Sequence, residues 1–228
     1  MKALRLTFLS AVVCLGAMLA QAQEGGESAT AADTSELEKG KSKFKETWVH
    51  PDADFSQYNK LYLWEATFEY RDVGPAQKSR STVMSTRKRE FGISDADRTA
   101  FEDIVREAFV KGLQRGKRFE IASDVGPNTL IMRGSALDIV SLVPPDTIGR
   151  SDIYLASVGE ATLVLELLDA ETGGVLAVVS ERRKMGSGRI DEWSMPANRT
   201  SIMSEIKRWA QSAGSKLGSE LDKAIAGK

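Results

Sequence analysis

Apolar positions along this chain change period several times, and each change marks an element. Residues 60–68 alternate and are rich in aromatic side chains, which predicts a first strand. Across 94–115, Phe101, Ile104, Val105, Ala108, Phe109 and Leu113 fall on one stripe of a 3.6-residue period, a helix. Ser94 and Asp97 form a capping box with Asp in place of the usual Glu or Gln. Gly116 is placed to end that helix in the left-handed conformation. A short strand at 118–122, a turn at 124–128 and a longer strand at 129–140 follow. In the longer strand the apolar phase moves from Leu130 and Met132 to Leu137 and Ile139, a slip that predicts a bulge near Gly134. Strands at 160–168 and 175–183 flank a turn. A last helix, at about 197–226, carries Ile202, Ile206, Trp209, Ala213, Leu217, Leu221 and Ile225 on one stripe.

The order β-α-β-β-β-β-α predicts an α+β two-layer sandwich. Its mixed five-stranded sheet would carry both helices on one face, since neither helix is apolar all round. The first strand, first helix and second strand would form a right-handed crossover unit. In strand 160–168, Ala161, Leu163, Leu165 and Leu167 face inward, and Thr162, Val164, Glu166 and Leu168 make a mixed outer face. Residues 71–92 and 142–158 read as loops.

The N-terminus changes the picture of where this domain works. Lys2 and Arg5 precede an apolar run from Leu6 to Ala20, and Ala20-Gln21-Ala22 supplies a small-x-small cleavage signal. The run, about 15 residues, is short of the roughly 20 that cross a bilayer. Residues 1–22 therefore read as an export signal, with a retained membrane anchor as the rival. Residues 23–47 carry little apolar content and read as a flexible tether, leaving 48–228 as one α+β domain. Cys14, the single cysteine, sits inside the apolar run after the bulky Val13, which does not fit a lipidation signal. Cleavage after Ala22 leaves no cysteine, so disulfides, CxxC redox chemistry and thiolate metal sites are excluded. Without Lys2 and Arg5 the chain has 29 basic against 32 acidic residues, a balance that does not point to nucleic acid.

Chemistry-bearing residues are sparse. His50 is the single histidine, beside Pro51 in a loop, and has no imidazole or thiol to join it in a metal set or triad. Asp52 and Asp54 lack the glycine and distal glutamate of a calcium loop and read as turn formers. Asp95, Asp97, Glu102 and Asp103 suit the first turns of a helix. Gly186-Ser-Gly188 lacks the Lys-Ser or Lys-Thr of a phosphate loop, and Asn198-Arg-Thr200 matches a glycosylation sequon. No catalytic, metal or cofactor site is predicted. Arg71, Lys78, Arg80, Arg87, Lys88 and Arg89 make the 71–92 loop basic, fit to meet anionic lipid, lipopolysaccharide or an acidic partner.

Three stretches together resemble a known family. They are Asp52-Ala-Asp-Phe-Ser-Gln-Tyr58, Val158-Gly-Glu-Ala-Thr162 and Leu168-Asp-Ala-Glu-Thr-Gly-Gly-Val-Leu-Ala177. They are similar to the bacterial envelope family called domain of unknown function 3313, over residue 48 to the final helix. The resemblance implies a Gram-negative periplasmic or outer-membrane-associated protein, often lipid-anchored, with no established activity and no catalytic residues to carry over. Within the third stretch, Asp169, Thr172 and Gly173 would close a hairpin with their own side chains and a positive φ. These features predict a non-enzymatic envelope protein acting through a protein partner. Its partner surface would be Val164 and Val178, if the outer sheet face exposes them together with Leu168. The alternative is a small-ligand binder or hydrolase with a site between the 142–158 and 71–92 loops.

Overall fold

The structure, a computed structural model, describes residues 36–73, 90–144, 154–186, 195–196 and 198–227. The chain runs β1 (Glu38–Lys39), β2 (Glu46–Val49), a 3-10 turn (Phe55–Gln57), β3 (Lys60–Tyr70) and α1 (Asp95–Leu113). It continues with β4 (Glu120–Ala122), β5 (Thr129–Ser141), β6 (Tyr154–Leu155), β7 (Gly159–Asp169), β8 (Val175–Met185), β9 (Met195–Pro196) and α2 (Arg199–Ile225). Seven strands form one mixed sheet in the order β1-β2-β8-β7-β5-β3-β4, and β6 pairs with β9 apart from it. β3 is parallel to β4 and β5, and the other pairs are antiparallel. The class is α+β as expected, but the sheet has seven strands where five were predicted.

The two additional strands, β1 and β2, come from the segment read as tether and from the loop after it. Glu46–Val49 pairs with β8 from Ser180 to Ala177, and Glu38–Lys39 folds back on β2. One apolar residue anchors this segment: Phe44 is 6% exposed and belongs to the core. The Lys216 ammonium lies 4.6 Å from the centre of its ring. A single aromatic residue among polar neighbours is a weak periodic signal, yet burying it contributes on the order of 2 kcal/mol.

The core lies between the helix pair and one sheet face. Leu130, Met132, Ala136, Ala161, Leu163, Leu165 and Leu167 meet Phe101, Val105, Phe109, Ile206, Trp209 and Leu217 there. The helices approach closely enough that glycine is required. A Cβ on Gly214 would lie 2.1 Å from the Phe109 carbonyl oxygen, and one on Gly112 would lie 2.2 Å from that of Gln211. The Ser94 hydroxyl caps α1, accepting from the Asp97 N–H at 3.3 Å and donating to its carboxylate at 2.6 Å. The expected left-handed Gly116 is not observed. The helix closes through Gln114, whose N–H donates to the Val110 carbonyl at 3.0 Å, and Gly116 instead makes room for the Phe119 ring.

The phase slip in β5 is real but lies four residues beyond Gly134. Between Leu137 and Val140 the strand carries one residue more than β7, and between Ala136 and Ile139 one more than β3. Asp138 takes φ +54° at this bulge. An aspartate tolerates that conformation better than most residues, so no glycine marks the place. Core positions shift there from Leu130, Met132 and Ala136 to Ile139. β3 bulges too, between Leu63 and Glu65, and the extra residue is Trp64.

Candidate functional site

Asp138 organises the largest polar cluster. Its backbone turn at the bulge aims the carboxylate at two arginines from separate strand ends. Arg71 donates from Nε at 2.6 Å and from Nη2 at 2.5 Å, and Arg182 donates from Nη1 to the same carboxylate. Arg71 also pairs with Glu90 at 2.5 Å, and Arg182 with Glu160 at 2.8 Å. The fork from Arg71 outweighs the opposing effect of burial and, with the bond from Arg182, holds the Asp138 carboxyl at about 2, below its ordinary 3.8. Both guanidiniums are shifted upward in turn, each first by a hydrogen bond: Arg71 by Asp138 and Arg182 by Glu160. The cluster is a chain of opposite charges that staples the ends of β3, β5, β7 and β8. Each group named here already has a partner of opposite sign, which suits architecture better than acid–base chemistry.

The predicted surface residues fall in different places. Arg80, Arg87, Lys88 and Arg89 lie outside the described residues. Val164 is half-buried on the face away from the helices, in register with Ser135 and Ser180. Val178 shares that face but is 4% exposed, in register between Trp48 of β2 and Glu166. The condition set for that partner surface, joint exposure of Val164, Leu168 and Val178, is therefore not met at Val178. β2, read from sequence as tether and loop, lies beside β8 and brings Trp48 next to Val178.

Asp169, Thr172 and Gly173 meet in the β7–β8 turn. Asp169 accepts from the Thr172 hydroxyl at 2.8 Å, from the Thr172 N–H at 3.3 Å and from the Glu171 N–H at 3.2 Å. Gly173 takes φ +71° and donates its N–H to the Asp169 carbonyl at 2.9 Å. Burial pushes the Asp169 carboxyl up, but these bonds and one from Tyr58 outweigh it and lower it overall. Desolvation, then the Asp169 charge, pushes the Tyr58 hydroxyl up to about 12. Of the loop acids, Asp54 serves a turn, accepting from the Ser56 N–H and hydroxyl, while Asp52 contributes its backbone N–H, which donates to the His50 ring. Asn198, the first residue of the sequon, caps α2 by accepting from the Ser201 N–H at 2.9 Å.

One surface feature was not foreseen. β4 pairs with β3 at Lys60, Leu61 and Tyr62 alone. Among the described residues no strand continues along that edge from Leu63 to Tyr70. Trp64, Glu65 and Ala66 are exposed there, Trp64 at 60%. Beside them a cavity of about 290 Å³ opens between β3 and α1, walled by Trp64, Phe68, Arg106, Phe109 and Val110 over a floor that includes Gly134, Ala136 and Leu163. Small side chains at Ala66, Gly134 and Ala136 leave this space unfilled. The Arg106 guanidinium covers the Phe68 ring from 4.7 Å. The aromatic content of β3 was visible in sequence, but the brevity of β4, which leaves the edge open, was not.

A second cavity, about 300 Å³, is lined in part by Gly92, Val143 and Val158, described residues of the 71–92 and 142–158 segments. Its wall is mostly apolar, including Phe101, Ile139, Val143 and Ile206, with Ser94, Asp97 and Arg199 among the polar groups. Among the described residues no group of three or more His, Cys, Asp or Glu side chains is placed to hold a metal ion. No helix among them is long and apolar enough to cross a membrane.

Together the fold and the open edge define a two-layer α+β domain. No protein-family model matches the chain, and no curated protein does. Among solved structures, it is similar to the PelC dodecamer from Paraburkholderia phytofirmans at 11% identity and a TM-score of 0.34, over 79% of this chain and 96% of that one. It is also similar to a DUF4136 family protein from Bacteroides thetaiotaomicron at 11% identity and a TM-score of 0.33, over 82% of this chain and 97% of that one. A third is a putative neuraminyllactose-binding hemagglutinin homolog from Helicobacter pylori, at 13% identity and a TM-score of 0.31, over 74% and 83%.

Proposed function

We propose that this chain is an exported cell-envelope protein that acts by binding and assembly, not by catalysis. The observation that carries the reading is the β3 edge: backbone groups without a neighbouring strand among the described residues, an exposed Trp64 and an apolar cavity, side by side. An unpaired strand edge beside a groove can take up a further strand by main-chain hydrogen bonds, with the groove selecting side chains. The N-terminal export pattern and the resemblance to domain of unknown function 3313 support an envelope location, periplasmic or at the outer membrane. The basic 71–92 segment would add contact with anionic lipid or lipopolysaccharide.

Crosslinking in intact cells, followed by mass spectrometry of the mature protein, tests this. The expected result is a mature N-terminus at Gln23 and reproducible crosslinks from the β3 edge to an identified envelope protein or another copy. A chain with no crosslinks from that edge and a bound metabolite would overturn it. The cavity at Ser94, Asp97 and Arg199 favours that second reading, a small-ligand binder or hydrolase, and native mass spectrometry of protein from cells would reveal its ligand.

A further inference from the structure

We propose that the open edge of β3 is the seam of a two-fold dimer, β3 pairing antiparallel with β3 of a second copy around Ala66. This rests on the binding reading above and names the partner as the chain itself. The sequence of the strand carries the inference. In an antiparallel pair, residues at equal distances from the two-fold axis face each other. Centred on Ala66, Glu65 faces Thr67 of the second copy, and across the bulge Leu63 and Trp64 together oppose its Phe68.

Charge and length select that centre. A centre on Glu65 or Glu69 sets a carboxylate against its own copy, and one on Thr67 sets Glu65 against Glu69. Like charges directly opposite destabilise a sheet. A centre on Phe68 avoids this but shortens the pairing within the strand to Ala66–Tyr70. Ala66 keeps carboxylates apart and uses residues 63–68, the stretch that begins where β4 ends. At the axis two small, exposed side chains permit close approach.

The cavity completes the seam. Trp64 projects from its own bulge at the cavity rim, so pairing brings the tryptophan of each copy against Phe68 and Val110 of the other. The Arg106 guanidinium already stacked on Phe68 offers that indole a cation. Trp64 is 60% exposed, so each copy has about 90–150 Å² of tryptophan left to bury, a part of the roughly 1,000 Å² that marks a specific interface. Joining the edges also removes the hazard of a long exposed strand.

Cysteine crosslinking of the full chain in a Cys14→Ala background tests the seam. Opposed residues of an antiparallel pair have Cα atoms about 4.5–5.5 Å apart, within the roughly 4.4–6.8 Å that a disulfide spans. Ala66→Cys should therefore give predominantly disulfide dimer on oxidation. Glu69→Cys should form no disulfide between copies, because the two copies of residue 69 lie six positions apart along the seam, about 20 Å. By sedimentation the Cys14→Ala chain should be a dimer, and adding Trp64→Lys should make it a monomer with an unchanged circular dichroism spectrum. A monomeric Cys14→Ala chain, an Ala66→Cys variant that does not crosslink, or equal crosslinking at Glu69 overturns the proposal. If self-crosslinking fails while crosslinks in cells still join this edge to another envelope protein, the dimer is wrong and the binding reading stands. Failure of both removes both.

Discussion

Replacing Gly214 with Ala should destabilise this domain, although the same change in an isolated helix would stabilise it. Ala is favoured over Gly in a helix interior by about 1 kcal/mol. Against that gain stands the α1–α2 crossing, where the new methyl would sit 2.1 Å from the Phe109 carbonyl oxygen and 2.9 Å from the Leu113 nitrogen. Real contacts essentially never fall under 3.0 Å, so the helices must separate by about 0.9 Å locally. A gap of that size forfeits about a quarter to a half of the dispersion energy of the atoms it parts. Overpacking of this kind costs about 1–3 kcal/mol. The upper end applies because the obstacle is backbone and cannot rotate away. The net loss is about 2 kcal/mol, or about 4–8 °C in Tm for a domain of this size. Urea titration followed by circular dichroism at the helical band measures it. Gly126→Ala is the control, since a methyl there meets nothing within 4 Å, and it should be neutral or slightly stabilising. A Gly214→Ala protein as stable as the unaltered chain would refute the close crossing of the helices.

Two further predictions follow from the sheet. Asp138→Asn keeps a side chain that tolerates positive φ and removes the charge, so it should lower stability at neutral pH. The Asp138 carboxyl is held at about 2, below its ordinary 3.8, so its contribution is complete above about pH 4 and is lost as pH falls toward 2. The urea midpoint of the unaltered chain should drop across that window, and that of Asp138→Asn should drop less; parallel curves would refute the assignment. Val178→Glu should cost about 3–5 kcal/mol and lose the cooperative unfolding transition, because it leaves an uncompensated charge at a buried site facing Glu166. A stable Val178→Glu protein would mean that the outer face is open there after all.

Long periodic elements were legible in the sequence because each has a whole face to bury. The stripe through Phe101, Val105 and Phe109 and the alternation through Ala161, Leu163 and Leu165 say which side is inward without knowledge of the partner. β2 was not legible, since Thr47 and Trp48 take meaning from β8, far along the chain. The slip in β5 showed in the apolar phase, but its position depended on Asp138 adopting a conformation usually left to glycine, held by Arg71 and Arg182. The β3 edge escaped notice for a different reason: an open edge is a property of a strand that stops early, and β4 stops after three residues.

The N-terminal strands have a consequence in time. The sheet cannot seat β2 until β8 exists, and Lys43 reaches its partner Ser219 across 176 residues of chain. Contacts that close such long loops are reached late and slow a fold that depends on them. A chain crossing a membrane N-terminus first would deliver β1 and β2 well before β8, to which β2 attaches. That hairpin would wait for its place and then lock the finished sheet, much as a clasp is fastened after the garment is on.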